Sequence, residues 1–305
     1  MDAAVETSTR VAVVGLGKMG LPIAERILAA GYPLAVFNRS TERASSLVEQ
    51  GATLLASPRD ALTAAEVCVT MLADDGALEA VVLGDDGLLA GARPGTVLID
   101  MSTVSVAISE RVAEQAANVD VHYLRTPVSG NPTVVRSGNL TLIVSGPEDI
   151  ATDVDRLLRA IGPKVFYVGE GERARVVKLA LQILIGGTAE LLGEALLLGE
   201  RAGIDRAKLL EVIGASAVGS PFVAYKSEPL LRDDYSATFT IAMLLKDVEL
   251  VRGLAATTGV EPPFTEELAI LSEAAIEHGY GDMDLMALFL QLRDRSTPQS
   301  TTRSR

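Results

Sequence analysis

The chain is poor in the residues that carry several common chemistries. It has one cysteine, two histidines and no tryptophan among 305 residues, and aromatic side chains make up 4% of it. A single cysteine excludes a disulfide framework and a thiolate metal cage. Cys68 falls in Val67-Cys68-Val69-Thr70-Met71, an apolar strand-like run that suits a buried structural thiol. His122 and His278 sit in no pattern that needs an imidazole, so a nucleophilic triad, His-based hydride chemistry and a bound metal are not expected. Basic charge is scarce too: 27 Lys and Arg against 40 Asp and Glu leave a formal net charge of −13 without a basic cluster. A phosphate backbone is repelled by such a surface, and nucleic acid is not an expected partner.

Membrane signals are weak. The apolar stretch 11–30 has no charged n-region before it and is interrupted by Lys18 and Glu25, and 179–198 contains Gln182, Glu190 and Glu194. The second stretch reads as a buried core helix. No membrane partner and a cytoplasmic location are expected. Residues 1–8 and 296–305 are too polar to bury and read as tails. Over the full chain, 48% apolar content is enough for two cores.

What the chain does have is a glycine signature in the right place. Val11-Ala12-Val13-Val14 runs into Gly15-Leu16-Gly17-Lys18-Met19-Gly20 and then into the helix-like Leu21-Pro22-Ile23-Ala24-Glu25-Arg26-Ile27-Leu28. Strand, tight turn and helix in that order are what a dinucleotide pyrophosphate needs, because backbone N–H groups must approach it without an intervening Cβ. The next strand, within 32–37, ends in Asn38-Arg39-Ser40-Thr41, with no carboxylate before Glu42. An NAD site usually carries an acid there, whereas a guanidinium with hydroxyl donors suits a 2′-phosphate. The expected cofactor is NADP(H). A plainer reading makes Ser40 or Thr41 the N-cap of a helix over 42–50.

Short apolar runs at 67–71, 96–100, 121–124, 140–144 and 164–168 alternate with amphipathic stretches, which is βαβ punctuation. Ser57-Pro58-Arg59-Asp60 offers a helix start with proline and an acid in their favoured places. Beyond Gly171 helical patterns take over, at 172–202, 206–214, 241–258, 265–278 and 283–293. The first spans about 45 Å at 1.5 Å per residue and is apolar nearly all round. Gly186-Gly187 in its middle costs about 1 kcal/mol per glycine against Ala, which suggests close approach of another backbone. The expected fold class is α/β, a Rossmann doubly wound sheet domain followed by an all-α domain linked by a long helix. Its boundaries are 10–168 for NADP binding, 169–295 for substrate and dimerisation, and 296–305 for a disordered tail.

Three further segments carry a resemblance. They are Asp100-Met101-Ser102-Thr103, Thr126-Pro127-Val128-Ser129-Gly130-Asn131-Pro132 and Gly169-Glu170-Gly171 leading to Lys178. With them, the chain from Val11 to Leu292 resembles the β-hydroxyacid dehydrogenase family, which includes 3-hydroxyisobutyrate dehydrogenases and glyoxylate/succinic semialdehyde reductases. The resemblance implies that Lys178 is the catalytic acid/base. It implies a substrate site of Ser102, Ser129, Gly130, Asn131 and Gln182, and cofactor contacts from Met71, Leu72, Thr103 and Lys246 besides Gly15, Leu16, Gly17, Lys18, Met19, Gly20, Asn38, Arg39 and Ser40. The residues agree with this chemically. Two hydroxyls at a strand's C-terminal end suit a ligand in the crevice of an open sheet, although a helix N-cap explains Ser102 and Thr103 as well. Ser129 and the N–H groups near Gly130 could hold a carboxylate without a buried base. Lys178 enters an apolar helix, where burial lowers an ammonium pKa from about 10.4 toward the range useful for proton exchange.

The chain departs from the family at Asn131, where the second glycine usually leaves the pocket wall bare. It departs again at Leu181 and Gln182, where asparagines are usual. Phe239 and Leu244-Leu245-Lys246-Asp247 resemble the family's late Lys-Asp pattern, with Asp247 expected to orient Lys246 or cap the structure; Asp284 fits a late family Asp or a helix N-cap. The expected activity is NADP-dependent hydride transfer between NADPH and a small carboxylate-bearing aldehyde or keto substrate. The alternatives are an imine reductase of the same architecture, which usually has Asp or Tyr in place of the lysine, and a non-catalytic NADP-binding module. A decarboxylating 6-phosphogluconate dehydrogenase needs a much longer helical domain. The apolar long helix points to a homodimer or higher homo-oligomer, with a small molecule as the other partner.

Overall fold

The computed structural model describes residues 8–296. The chain divides after Lys178 into two compact units, Met1–Lys178 and Leu179–Arg305.

The first unit alternates strands and helices: β1 (Val11–Val14), α1 (Gly20–Ala29), β2 (Leu34–Phe37), α2 (Ser45–Glu49), β3 (Thr53–Leu54), α3 (Arg59–Ala64), β4 (Val67–Thr70), α4 (Asp75–Leu83), β5 (Val97–Asp100), α5 (Val106–Asn118) and β6 (His122–Arg125). These six strands form one parallel sheet in the order β3-β2-β1-β4-β5-β6, the doubly wound dinucleotide-binding order. Strand side chains alternate between faces, so Val11 and Val13 enter one core while Ala12 and Val14 enter another. Burial on both faces explains why these runs are continuously apolar. In α3 the Asp60 carboxylate accepts hydrogen bonds from the Ser57 N–H at 2.9 Å and its hydroxyl at 3.1 Å, the reach-back half of the expected helix start.

The strands at 140–144 and 164–168 do not continue that sheet. After β6 come β7 (Val128–Ser129), α6 (Pro132–Arg136), β8 (Thr141–Val144), α7 (Glu148–Asp153), α8 (Asp155–Ile161) and β9 (Lys164–Tyr167), with β7, β8 and β9 in a separate three-stranded sheet. Strand β7 runs antiparallel to β8, and a single bridge joins Arg125 to Ser145. The Pro127 carbonyl accepts from the Ile143 N–H at 3.0 Å on this antiparallel side, where the proline has no N–H to return. The helix expected over 42–50 is a 3₁₀ turn, Thr41–Ala44, followed by the short α2, and Ser40 makes no side-chain cap.

Helix α9 (Arg173–Arg201) starts in the first unit and runs on into the second. It is long and apolar enough to cross a membrane by length and composition, but 44% of its most apolar stretch is buried in the fold. The second unit continues with α10 (Arg206–Ala215), α11 (Pro221–Leu231), α12 (Ile241–Thr258), α13 (Pro263–Glu277), a 3₁₀ turn Leu285–Ala287 and α14 (Leu288–Arg295). Its core includes Leu192, Leu196, Leu244, Leu268 and Phe289. No sequence pattern announced α11, which carries Pro229 near its end and is started by the Ser220 hydroxyl accepting from the Val223 N–H at 3.2 Å.

The close approach at Gly186-Gly187 is made by side chains rather than by another backbone. A Cβ on Gly186 would lie 2.5 Å from Leu268 and 3.0 Å from Leu244, and one on Gly187 3.1 Å from the Phe264 ring. These glycines seat α12 and α13 on α9 within one chain, so they do not serve as a crossing point for a second subunit's backbone. The tail at 297–305 and the segment 1–7 lie outside the described residues.

Candidate active site

The glycine turn is built by close contacts that only glycine permits. Gly15 has φ +98°, and a Cβ there would sit 2.4 Å from the Met71 carbonyl oxygen; a Cβ on Gly20 would sit 1.8 Å from the Gly15 carbonyl oxygen. Gly17 differs, because a Cβ there meets nothing within 4 Å. The space beside it is therefore open to a ligand. Helix α1 has no side-chain cap and no acid in its first turn, which leaves its N-terminal N–H groups and positive dipole end suited to an anion. The turn fits the dinucleotide group expected from the sequence. Asn38 ties it to the end of β2, accepting from the Leu16 N–H at 2.8 Å and donating to the Ser40 carbonyl at 2.9 Å. Leu16 is itself buried, while Lys18, Arg39 and Ser40 are exposed and Met19 is half-buried.

The C-terminal ends of β4 and β5 are joined by a buried polar network that the sequence did not announce. The Asp100 carboxylate accepts from Thr70 Oγ1 at 2.7 Å and Ser102 Oγ at 2.6 Å. Ser102 Oγ in turn accepts from the Leu72 N–H at 2.9 Å. Ser102, expected at the substrate, is 0% exposed with its hydroxyl fully engaged, so it holds the two loops together. The helix cap expected of Ser102 or Thr103 is supplied by Ser105, whose hydroxyl accepts from the Ile108 N–H at 3.2 Å. Met71, Leu72 and Thr103 are half-buried at this edge.

Arg175 closes the network from the first turn of α9. Its guanidinium, 1% exposed, pairs with Asp100 and donates to the Ser102 carbonyl, to Tyr123 Oη at 3.1 Å and to Ser109 Oγ at 3.3 Å. Burial works against its charge, but Asp100 and Tyr123 outweigh that and hold its pKa above the usual value. Burial also pushes the Tyr123 hydroxyl up to about 12, keeping it a neutral donor. The sequence shows only an arginine one turn before Lys178, beside Arg173 in the first turn of the helix, and nothing that distinguishes the buried one. A second pair, Arg125 with Glu172, and the Ser145 hydroxyl, which donates to the Gly171 carbonyl at 2.7 Å and accepts from the Ala174 N–H at 3.1 Å, fasten the same helix end. Lys178 itself is buried, at 9% exposed.

On the other loop, Ser129 is half-buried and Gly130 has φ +148° with Leu140 and Val134 packed where a Cβ would be. Asn131 does not simply project as a pocket wall: its side-chain oxygen accepts from the Val134 N–H at 3.0 Å and caps α6. In the second unit, Asp247, 1% exposed, receives a hydrogen bond from Gln182 Nε2, and Lys246 Nζ lies 2.8 Å from its other oxygen, an ion contact without hydrogen-bond alignment. Asp247 thus orients both Lys246 and Gln182. Asp284 caps the 3₁₀ turn through the Met286 N–H at 3.2 Å and pairs with buried Lys226 at 2.6 Å, a structural role.

Sequence comparison covers most of the chain. Residues 10–169 match the NAD binding domain of 6-phosphogluconate dehydrogenase, and residues 172–292 the NAD-binding domain of NADP-dependent 3-hydroxyisobutyrate dehydrogenase. The uncharacterized oxidoreductase YfjR of Bacillus subtilis is 34% identical over 281 residues, 92% of this chain and 98% of its own. The chain belongs to the β-hydroxyacid dehydrogenase family. Another member, the 3-hydroxyisobutyrate dehydrogenase of Pseudomonas aeruginosa, is 34% identical over 249 residues, 79% of this chain and 84% of its own. Among solved structures, Psf3 in complex with NADP+ and 2-OPP superimposes with a TM-score of 0.86 at 26% identity, covering 92% of this chain and 99% of that one. As a β-hydroxyacid dehydrogenase, the protein is an oxidoreductase that binds a nicotinamide cofactor.

Proposed function

We propose that this protein reduces the carbonyl carbon of a small carboxylate-bearing aldehyde or keto acid with NADPH, and oxidises the corresponding alcohol in reverse. The observation that carries the reading is Lys178, an amine buried to 9% exposure in α9, just after the Arg175 network. Residues 10–168 are assigned to the cofactor and 169–295 to substrate and dimerisation. Gly15, Leu16, Gly17, Lys18, Met19 and Gly20 would cradle the pyrophosphate, and Asn38, Arg39 and Ser40 the ribose with its 2′-phosphate. Met71, Leu72, Thr103 and Lys246 are assigned to the rest of the dinucleotide. The exposed Arg39 and Ser40 support NADP over NAD, as does the NADP-dependent enzyme named by the family match over 172–292.

When bound, the nicotinamide supplies or receives the hydride. Lys178 gives its proton to the carbonyl oxygen in reduction and takes the alcohol proton in oxidation. Ser129, with the backbone at Gly130 and Asn131, holds the substrate carboxylate by hydroxyl and N–H donors. Gln182, oriented by Asp247, hydrogen-bonds the substrate, and Ser102 serves the loops rather than the substrate. A homodimer built on the exposed stripe of α9 is the assembly we assign.

The test is NADPH oxidation with glyoxylate, succinic semialdehyde, tartronate semialdehyde, methylmalonate semialdehyde and a cyclic imine, run on the parent and on Lys178→Ala. One of the carboxylate-bearing aldehydes is expected to turn over. Lys178→Ala should keep NADPH binding and lose about 10²- to 10⁴-fold in kcat, the usual contribution of a positioned acid. Turnover of the imine alone, or a Lys178→Ala rate close to the parent's, would overturn the reading.

A further inference from the structure

The chain spends a fully buried ion pair on the segment that leads to Lys178, and stability is a poor explanation for it. Taking a carboxylate and a guanidinium out of water is costly, and an apolar pair of similar volume usually serves a fold as well. The helix end is also fastened without it, by Arg125 with Glu172 and by both hydrogen bonds of Ser145. What the Asp100–Arg175 pair adds is geometry. Arg175 has four partners drawn from β5, the loop after it, α5 and β6. Asp100 reaches the loop after β4 through Ser102 and Leu72. One pair therefore fixes three segments that carry proposed site residues: 71–72, 102–103 and the helix turn of Lys178. Lys178 follows Arg175 by three positions, on the same face of α9.

We propose that Asp100 and Arg175 are positioning residues that set Lys178 relative to the loops after β4 and β5. The inference rests on the reading of Lys178 as the acid/base. A planar fork held through all three of its nitrogens fixes direction as well as distance, which a lysine's single ammonium cannot do. Displacement of an acid by about 1 Å can cost on the order of 100-fold in rate.

The experiment uses the full chain as Arg175→Lys, which keeps the charge and loses the fork, and as Tyr123→Phe, which removes one bond to the guanidinium. Succinic semialdehyde, or glyoxylate if that turns over faster, is the probe substrate. Three readouts are taken: kcat against KM for NADPH, the isotope effect with 4-deuterated NADPH, and the acylation rate of Lys178 by acetic anhydride in the cofactor-free protein. Arg175→Lys should lose about 10- to 100-fold in kcat with KM for NADPH nearly unchanged, and show a larger isotope effect. Its Lys178 should acylate faster than the parent's. Tyr123→Phe should move all three readouts in the same direction, by roughly threefold or more in kcat. A folded Arg175→Lys protein with parental kcat and parental acylation rate would overturn the proposal. If Arg175→Lys does not fold, Tyr123→Phe decides by the same criteria. Failure of the acid/base reading is separable, since Lys178→Ala would then turn over like the parent while the acylation rate still reports whether the pair holds Lys178.

Discussion

Arg39 stands exposed at the end of β2 beside Ser40, with no acid before Glu42. Asn38, the residue between strand and arginine, is occupied in holding the glycine turn, so under the proposed NADP reading Arg39 and Ser40 are the residues left to meet a 2′-phosphate. A charge-assisted contact of this kind contributes about 1–2 kcal/mol, so NADPH should bind roughly 5- to 30-fold tighter than NADH. Arg39→Asp should reverse the order. Titration of both cofactors by fluorescence checks this, and equal dissociation constants in the parent protein would remove the claim. The same scale explains two departures from expectation. Asn131 and Ser102 are polar residues in motif positions, yet each is engaged locally, one capping α6 and the other linking two loops.

At the scale of elements, α9 carries an acid where a core helix least tolerates one. Glu190 is 3% exposed and its Oε1 has no hydrogen-bond partner. Burial, and then the charges of Glu194 on the same helix and Glu267 on α13, push its carboxyl up to about 7, against a lowering pull from Arg295 on α14. An acid whose pKa is raised in the folded state favours folding most when protonated. Its contribution is fully present below the unfolded value of 4.5 and is lost as pH rises through about 7. Glu190→Gln should therefore raise the Tm at alkaline pH and flatten the fall of Tm between mildly acidic and neutral pH. Thermal melts of both proteins across that range measure it, and parallel curves would rule out Glu190 as the source.

On the whole molecule, one face of α9 is left to solvent within a single chain: Leu184 is 65% exposed, Leu191 57% and Leu198 74%. Their spacing of seven puts them on one stripe, the pattern of a helix that packs on another helix. Light scattering should give about twice the 32.0 kDa chain mass or a multiple of it, and Leu191→Glu should lower that value. A monodisperse, active species of single-chain mass would refute the dimer. The sequence by itself determined the class of this protein. The glycine turn, the alternation of strands and helices, the missing acid after β2 and the lysine motif are local patterns, each set by backbone reach, side-chain period or the chemistry of a few adjacent residues. Only the tertiary structure decided that the last strands leave the main sheet, that the paired glycines receive leucine and phenylalanine side chains, and that Ser102 is spoken for. It also decided the partners of Arg175, which lies 75 residues from Asp100. A buried charge is satisfied by whatever the fold brings beside it, and no spacing along the chain encodes a partner that far away.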